Sequence, residues 1–229
     1  MIVLALDTCL GACSVAVVAN GRVLASASEP MTRGHQERLA VMAREVMAGA
    51  GVAFADLDRI GVTVGPGSFT GLRVGVAFAK GLALALSRPC IGVGTLEALA
   101  ASAGRAGRIA AAIDSGRGHI YLQTFEDGRA LMAPAVMPLA AAQALVAGLG
   151  GGVAAGPGAP LLGEIAGLDT LVMAAPAAEA VARLAEAAPA DTPSAPLYLR
   201  PADATPAKPK PPRPPQPRPR SRPPARGAA

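Results

Sequence analysis

Leu6-Asp7-Thr8, Gly11, Val15-Ala16-Val17-Val18 and Asn20-Gly21-Arg22-Val23-Leu24 return later in the chain. The second copy reads Ile113-Asp114-Ser115, Gly118, Ile120-Tyr121-Leu122 and Asp127-Gly128-Arg129-Ala130-Leu131. The offset is 107 residues at Asp7/Asp114, Thr8/Ser115, Gly11/Gly118 and Gly21/Gly128, with no gap. A second echo sets Gly61-Val62-Thr63-Val64-Gly65-Pro66-Gly67 against Gly152-Val153-Ala154-Ala155-Gly156-Pro157-Gly158, at an offset of 91. Two blocks in the same order, with 16 residues lost between them in the second copy, mark an internal duplication.

Each copy opens as a β-meander. Ile2 to Leu6 is a short apolar run suited to a buried strand, and Ser14 to Val18 pairs back across a turn at 8–12. Asn20-Gly21 and Asp127-Gly128 predict two-residue type I′ turns, which need positive φ at both central positions. Arg22 to Ala27 completes the first meander. A helix over about 33–48 follows Thr32, then a strand at Arg59 to Val64, a helix from about Thr70 to Leu86, a strand at Cys90 to Val93 and a helix from Leu96 to Ala103. The second copy restarts near Arg108 and predicts helices near 138–148, 159–166 and 177–187. Three antiparallel strands followed by alternating helices and strands, duplicated, predict an α/β fold of two actin/Hsp70-like lobes, the ribonuclease H-like plan of the sugar kinases. The expected divisions are 1–104 for the first lobe, 105–205 for a smaller second lobe, and 206–229 for a disordered tail.

Composition narrows the function classes. The chain is 52% hydrophobic but 3% aromatic with no Trp, so its core is built from Ala, Val, Leu and Gly. The net charge of +5 is unevenly placed: seven basic residues and no acid follow Pro206, leaving 1–205 with 14 basic and 16 acidic residues. A wholly basic nucleic-acid-binding body is thereby excluded. The tail holds ten prolines in 24 residues, a composition for extended, solvated chain whose cations could touch phosphate. Cys9, Cys13 and Cys90 form no CxxC pair and only two histidines are present, too few for a zinc site. No signal peptide opens the chain, and Lys80 breaks the apolar stretch from Val74 to Leu86, so a cytoplasmic protein without a membrane span is expected.

Two places carry candidate chemistry. Asp7-Thr8 stands at the first hairpin turn, where a carboxylate beside a hydroxyl suits Mg²⁺ and phosphate oxygens. An Asx hydrogen bond that caps the turn is the alternative, and both readings stand open. Residues Gly65-Pro66-Gly67-Ser68-Phe69-Thr70-Gly71-Leu72-Arg73 are neither a Walker A loop nor a dinucleotide fingerprint. They read as a strand-to-helix turn with a hydroxyl N-cap.

That string, continued by Val74-Gly75 and Ala79-Lys80-Gly81-Leu82-Ala83, strongly resembles the TsaB (YeaZ) family. Supporting pieces are Ala12-Cys13-Ser14-Val15-Ala16, His35-Gln36-Glu37-Arg38-Leu39, Leu96-Glu97-Ala98-Leu99, Asp114 with Tyr121, and Pro196-Leu197-Tyr198-Leu199-Arg200. The likeness covers about 1–203 and is sparse between 130 and 190. It implies a non-catalytic activator of TsaD, joined by the ATPase TsaE, in making threonylcarbamoyladenosine at position 37 of tRNA. It implies no intrinsic cofactor: ATP and Mg²⁺ belong to the complex, and tRNA is met through it. A homodimer of the isolated chain stays open. TsaD resembles the same string but carries a metal-binding His-x-x-x-His where this chain has Thr95 and Leu99, neither of which replaces an imidazole. A metalloprotease reading fails for the same reason, and no catalytic or metal-binding residue is assigned. The competing class is a stand-alone ATPase or kinase using Asp7 and the interlobe cleft.

Gly71, Gly75, Ala79 and Ala83 recur at strict four-residue spacing and give one helix face almost without side chains. Since the resemblance implies that the first lobe pairs with the homologous lobe of TsaD, this face is expected to be exposed as the partner surface, the alternative being that it packs on the chain's own sheet. Leu39, Met42 and Met47 are expected to supply its apolar remainder.

Overall fold

The computed structural model describes residues 1–200, so the 206–229 tail lies outside the described residues. The strands are β1 (Ile2–Asp7), β2 (Ala12–Ala19), β3 (Arg22–Pro30), β4 (Arg59–Thr63), β5 (Cys90–Val93), β6 (Arg108–Gly116), β7 (His119–Glu126), β8 (Arg129–Ala130), β9 (Ala135–Pro138), β10 (Gly152–Ala155) and β11 (Leu168–Leu171). The helices are α1 (His35–Ala50), α2 (Phe69–Leu86), α3 (Thr95–Ser102), α4 (Leu139–Ala147) and α5 (Ala178–Ala187).

Sheet one has the order β3-β2-β1-β4-β5, the first three strands antiparallel and the last three parallel. Sheet two repeats this as β8-β7-β6-β10-β11, with β9 also pairing β7. The duplication read from sequence is therefore a duplication of topology. It extends to backbone conformation: φ is +49° and +76° at Asn20 and Gly21, +47° and +80° at Asp127 and Gly128. Gly65 and Gly156, equivalent in the second echo, have φ of +109° and +111°.

Three local expectations change. The helix expected after Thr32 starts at His35, behind Gly34 in the left-handed region. The 159–166 helix is one 3-10 turn, Ala159–Leu162, with a proline in its first turn and Gly163 at φ +78° closing it. The third strand of the second meander is split into β8 and β9, with Pro134, which has no backbone donor, just before β9.

The larger correction concerns which sheet each helix covers. α1 and α2 bury Leu39, Met42, Val46, Met47, Leu72, Val76 and Ala79 against Leu4, Leu6, Val15 and Val17 on one face of sheet one. The other face of sheet one is covered by α5, which follows sheet two in the chain: Val181, Ala182 and Ala185 pack on Val3, Ala5, Ile91 and Val93. α3 follows sheet one, yet Leu96 and Leu99 pack on Ile109, Ala111, Ile113 and Phe125 of sheet two. The helix expected at 177–187 thus belongs to the packing of the first lobe, and a division at 104/105 separates the sheets but not their cores. α5 can lie this close because β4 has glycine beneath it; a Cβ on Gly61 would stand 2.7 Å from Ala185 Cβ. Arg59 Nη1 donates to Ala185 O at 3.1 Å, tying β4 to the carbonyl end of α5.

Candidate functional site

The first hairpin and α2 interlock through backbone. Ser68 is the N-cap of α2 and accepts from Gly71 N at 3.3 Å, as the hydroxyl at this turn predicts. Ser68 N donates to Cys9 O at 2.7 Å, and Thr8 Oγ1 donates to Gly71 O at 2.7 Å. A Cβ on Gly71 would lie 2.0 Å from Thr8 O, and one on Gly75 would lie 2.5 Å from Thr8 Oγ1. Ala79 and Ala83 continue the same buried stripe.

The expected partner face is therefore internal. Gly71, Gly75 and Ala79 face the chain's own first hairpin and sheet, while Leu39, Met42 and Met47 are 0–2% exposed inside the core. The glycines are needed for close approach, but what approaches is the Thr8 loop. Five of these six residues cannot touch a partner without opening the fold, and Leu39, 1% exposed, reaches only the floor of the groove between α1 and α2.

Asp7 and Thr8 are 0% and 1% exposed. Asp7 Oδ1 accepts from Thr63 Oγ1 at 2.6 Å and from Cys9 N at 3.2 Å, the latter an Asx contact across the turn. Asp114 repeats it, accepting from Gly116 N at 2.7 Å. With Thr8 Oγ1 spent on Gly71 and Asp7 sealed under Cys9 and Thr63, the pair does not fit a phosphate or metal ion. The capping reading prevails. Asp7 Oδ2 has no partner, and burial pushes the carboxyl up to about 6 against the lowering effect of its hydrogen bonds from Thr63 and Cys9. Burial, with the charge of Asp7, raises the Cys9 thiol to about 12 and Cys13 to about 11, so neither is a thiolate at neutral pH. His35 is 7% exposed at the first position of α1. Thr95 and Leu99 are fully buried on α3.

What α2 presents outward is a second stripe: Phe69, Arg73, Ala77, Gly81 and Ala85, all exposed and again four residues apart. It lies two residues from the buried stripe, about 200° around a helix of 3.6 residues per turn. Leu84, 82% exposed, adds to it, and a Cβ on Gly81 would meet nothing within 4 Å. By length and composition α2 could cross a membrane, but its inner face is core. Between α1 and α2 runs a groove of about 500 Å³ lined by Gln36, Phe69, Arg73, Val74, Ala77 and Phe78. At its end the Arg73 guanidinium sits 3.7 Å above the Phe69 ring, and Arg73 Nε donates to Tyr198 Oη at 3.2 Å. Tyr198 is delivered by the terminal segment, where Leu197 N donates to Val64 O at 2.7 Å and Arg200 Nη1 to Ser115 O at 2.7 Å. Arg38 steadies α1 by bonding Glu29 and Glu45, and this bond holds the Glu29 carboxyl below its usual range.

The family model described as TsaD, tRNA N6-adenosine threonylcarbamoyltransferase, matches residues 23–166. The chain is 40% identical over 129 residues to the tRNA threonylcarbamoyladenosine biosynthesis protein TsaB of Escherichia coli, a match covering 55% of each chain. It spans about half the length of the curated TsaB relatives it matches. An uncharacterized protein of Mycobacterium tuberculosis is 34% identical over 209 residues, 89% of this chain and 94% of that one. Among solved structures, YeaZ from Pseudomonas aeruginosa is similar with a TM-score of 0.72 and 34% identity, covering 86% of this chain and 99% of that one.

Proposed function

The chain belongs to the TsaB/YeaZ family, and from that premise we propose that it serves threonylcarbamoyladenosine synthesis on tRNA as the non-catalytic subunit that pairs with TsaD. The observation that carries this reading is the outward face of α2. It is an exposed stripe of small and apolar side chains, interrupted by Arg73 and Lys80, beside an apolar groove. An exposed apolar helix face of this kind marks an association surface. The match of a TsaD family model to residues 23–166 supports the choice of partner, since a homologous lobe would offer an equivalent helix and give a pseudo-symmetric contact of α1 and α2 with their counterparts. The same face would serve a homodimer when TsaD is absent. Buried Thr95 and Leu99, buried Asp7 and protonated thiols support an activating rather than a catalytic role. ATP, Mg²⁺ and TsaE then join the assembled pair, and tRNA is engaged through it.

The test is titration calorimetry of the chain with purified TsaD, comparing the natural protein with Ala77→Arg. Ala77 is exposed, so the variant folds, and a buried guanidinium at the centre of the contact should weaken binding at least tenfold, about 1.4 kcal/mol. Unchanged affinity for Ala77→Arg places the contact elsewhere. Tight binding of ATP by the isolated chain would favour the stand-alone ATPase instead.

A further inference from the structure

A second cleft, of about 350 Å³, opens on the face of sheet one opposite α1 and α2, within the size range of small-molecule sites. Its floor is hydroxyl-bearing: Ser14 of β2 lies opposite Ser28 of β3 in the ladder, and Ser26 lies opposite Ala16, so all three serines share one face. One wall is the start of α5, where Ala178 and Glu179 line the cleft. The cap residue Ala177 contributes no side-chain hydrogen bond, and its own amide is held by Ser102 Oγ at 2.9 Å. Ala180 N already donates to Ala177 O at 3.0 Å, so the amides of Ala178 and Glu179 are the ones left without an acceptor within the helix. Met173 adds an apolar patch.

The independent sign of a ligand is Ser14. It is 1% exposed and its Oγ has no hydrogen-bond partner, yet it lines this cleft. A buried hydroxyl left unsatisfied costs about 1–3 kcal/mol, so a polar group arriving from the cleft would recover that loss. Charge then selects the ligand. A simple anion would suit the positive end of α5 but meet the half-buried Glu179 carboxylate, whereas a simple cation would suit Glu179 but meet the helix end. A zwitterion satisfies both, with its carboxylate at the α5 amides and its ammonium at Glu179. The serine floor calls for a hydroxyl between them. We propose that this cleft binds a small hydroxylated α-amino acid of the serine type. The site is separate from the α2 face and stands whether or not that face binds TsaD.

The experiment is titration calorimetry of the full chain with L-serine, L-alanine, acetate and ethylamine as probes. Saturable 1:1 binding of L-serine is expected, with L-alanine at least tenfold weaker because it leaves the serine hydroxyls unpaired. Glu179→Gln and Ser14→Ala should each weaken L-serine binding tenfold or more. Ser14→Ala should also leave the ligand-free Tm unchanged or raised, which separates a ligand-facing hydroxyl from a structural one. The proposal is overturned if L-serine gives no saturable heat, or if acetate or ethylamine binds as tightly as L-serine. It also fails if either variant binds L-serine as well as the natural chain does.

Discussion

Replacing Asp7 by Asn tests the burial of the first hairpin turn. In the folded chain the carboxyl is fully buried and pushed from 3.8 to about 6. A carboxyl raised on folding holds its proton more tightly in the native state, so its favourable contribution is complete below the unfolded value. That contribution is lost as pH rises through about 6. At pH 8 the buried charge costs about 3 kcal/mol, from about two units at 1.36 kcal/mol each. Asn keeps an oxygen to accept from Thr63 Oγ1 and Cys9 N and removes the charge, but it places an amide nitrogen where Oδ2 stands without a partner. That unsatisfied donor costs about 1–3 kcal/mol at any pH. Asp7→Asn should therefore equal or exceed the natural chain in stability at pH 8 and fall level with or below it at pH 4, where the protonated carboxyl also carries an unpartnered O–H donor. The change in ΔΔG between the two pH values is about 2.4 kcal/mol, because at pH 4 the unfolded carboxyl is already more than half ionised, and it does not depend on the amide's cost. Urea denaturation of both proteins from pH 4 to pH 8 measures it. A ΔΔG flat across that range refutes the buried, raised carboxyl.

Three further outcomes follow from the packing. Gly71→Ala gains about 1 kcal/mol of helix propensity but drives a methyl into Thr8 O, so a net loss of about 2 kcal/mol or more is expected in urea unfolding; a neutral or stabilised variant contradicts the α2–hairpin contact. Leu99→Ala empties a fully buried site between α3 and sheet two and should cost about 2–5 kcal/mol, and a loss under about 1 kcal/mol would mean that α3 does not pack there. Cys9 and Cys13 should resist iodoacetamide in the native protein at pH 8 while Cys90, half-buried, labels first; mass spectrometry showing rapid alkylation of Cys9 overturns their burial.

Local chemistry made the architecture legible. Turn residues such as Asn20-Gly21 and Asp127-Gly128 demand their own backbone conformation, and apolar runs such as Ile2–Leu6 demand burial, wherever the rest of the chain lies. Repeating these signals twice was enough to set two sheets of the same topology. The string from Gly65 to Ala83, by its resemblance, led to the family without any geometry. What the sequence left undecided are choices between equivalent partners. α2 carries two stripes of small residues at the same four-residue spacing, Gly71/Gly75/Ala79/Ala83 and Ala77/Gly81/Ala85, and periodicity alone cannot say which turns inward. The Thr8 loop decides, because its carbonyl and hydroxyl approach where only glycine leaves room. α3 and α5 each have one apolar face, and nothing in their residues names the sheet they cover. Only the joined fold reveals that they exchange lobes: α3 swings onto the sheet that follows it, and α5 reaches back to sheet one through contacts between segments more than a hundred residues apart, such as Gly61 beneath Ala185.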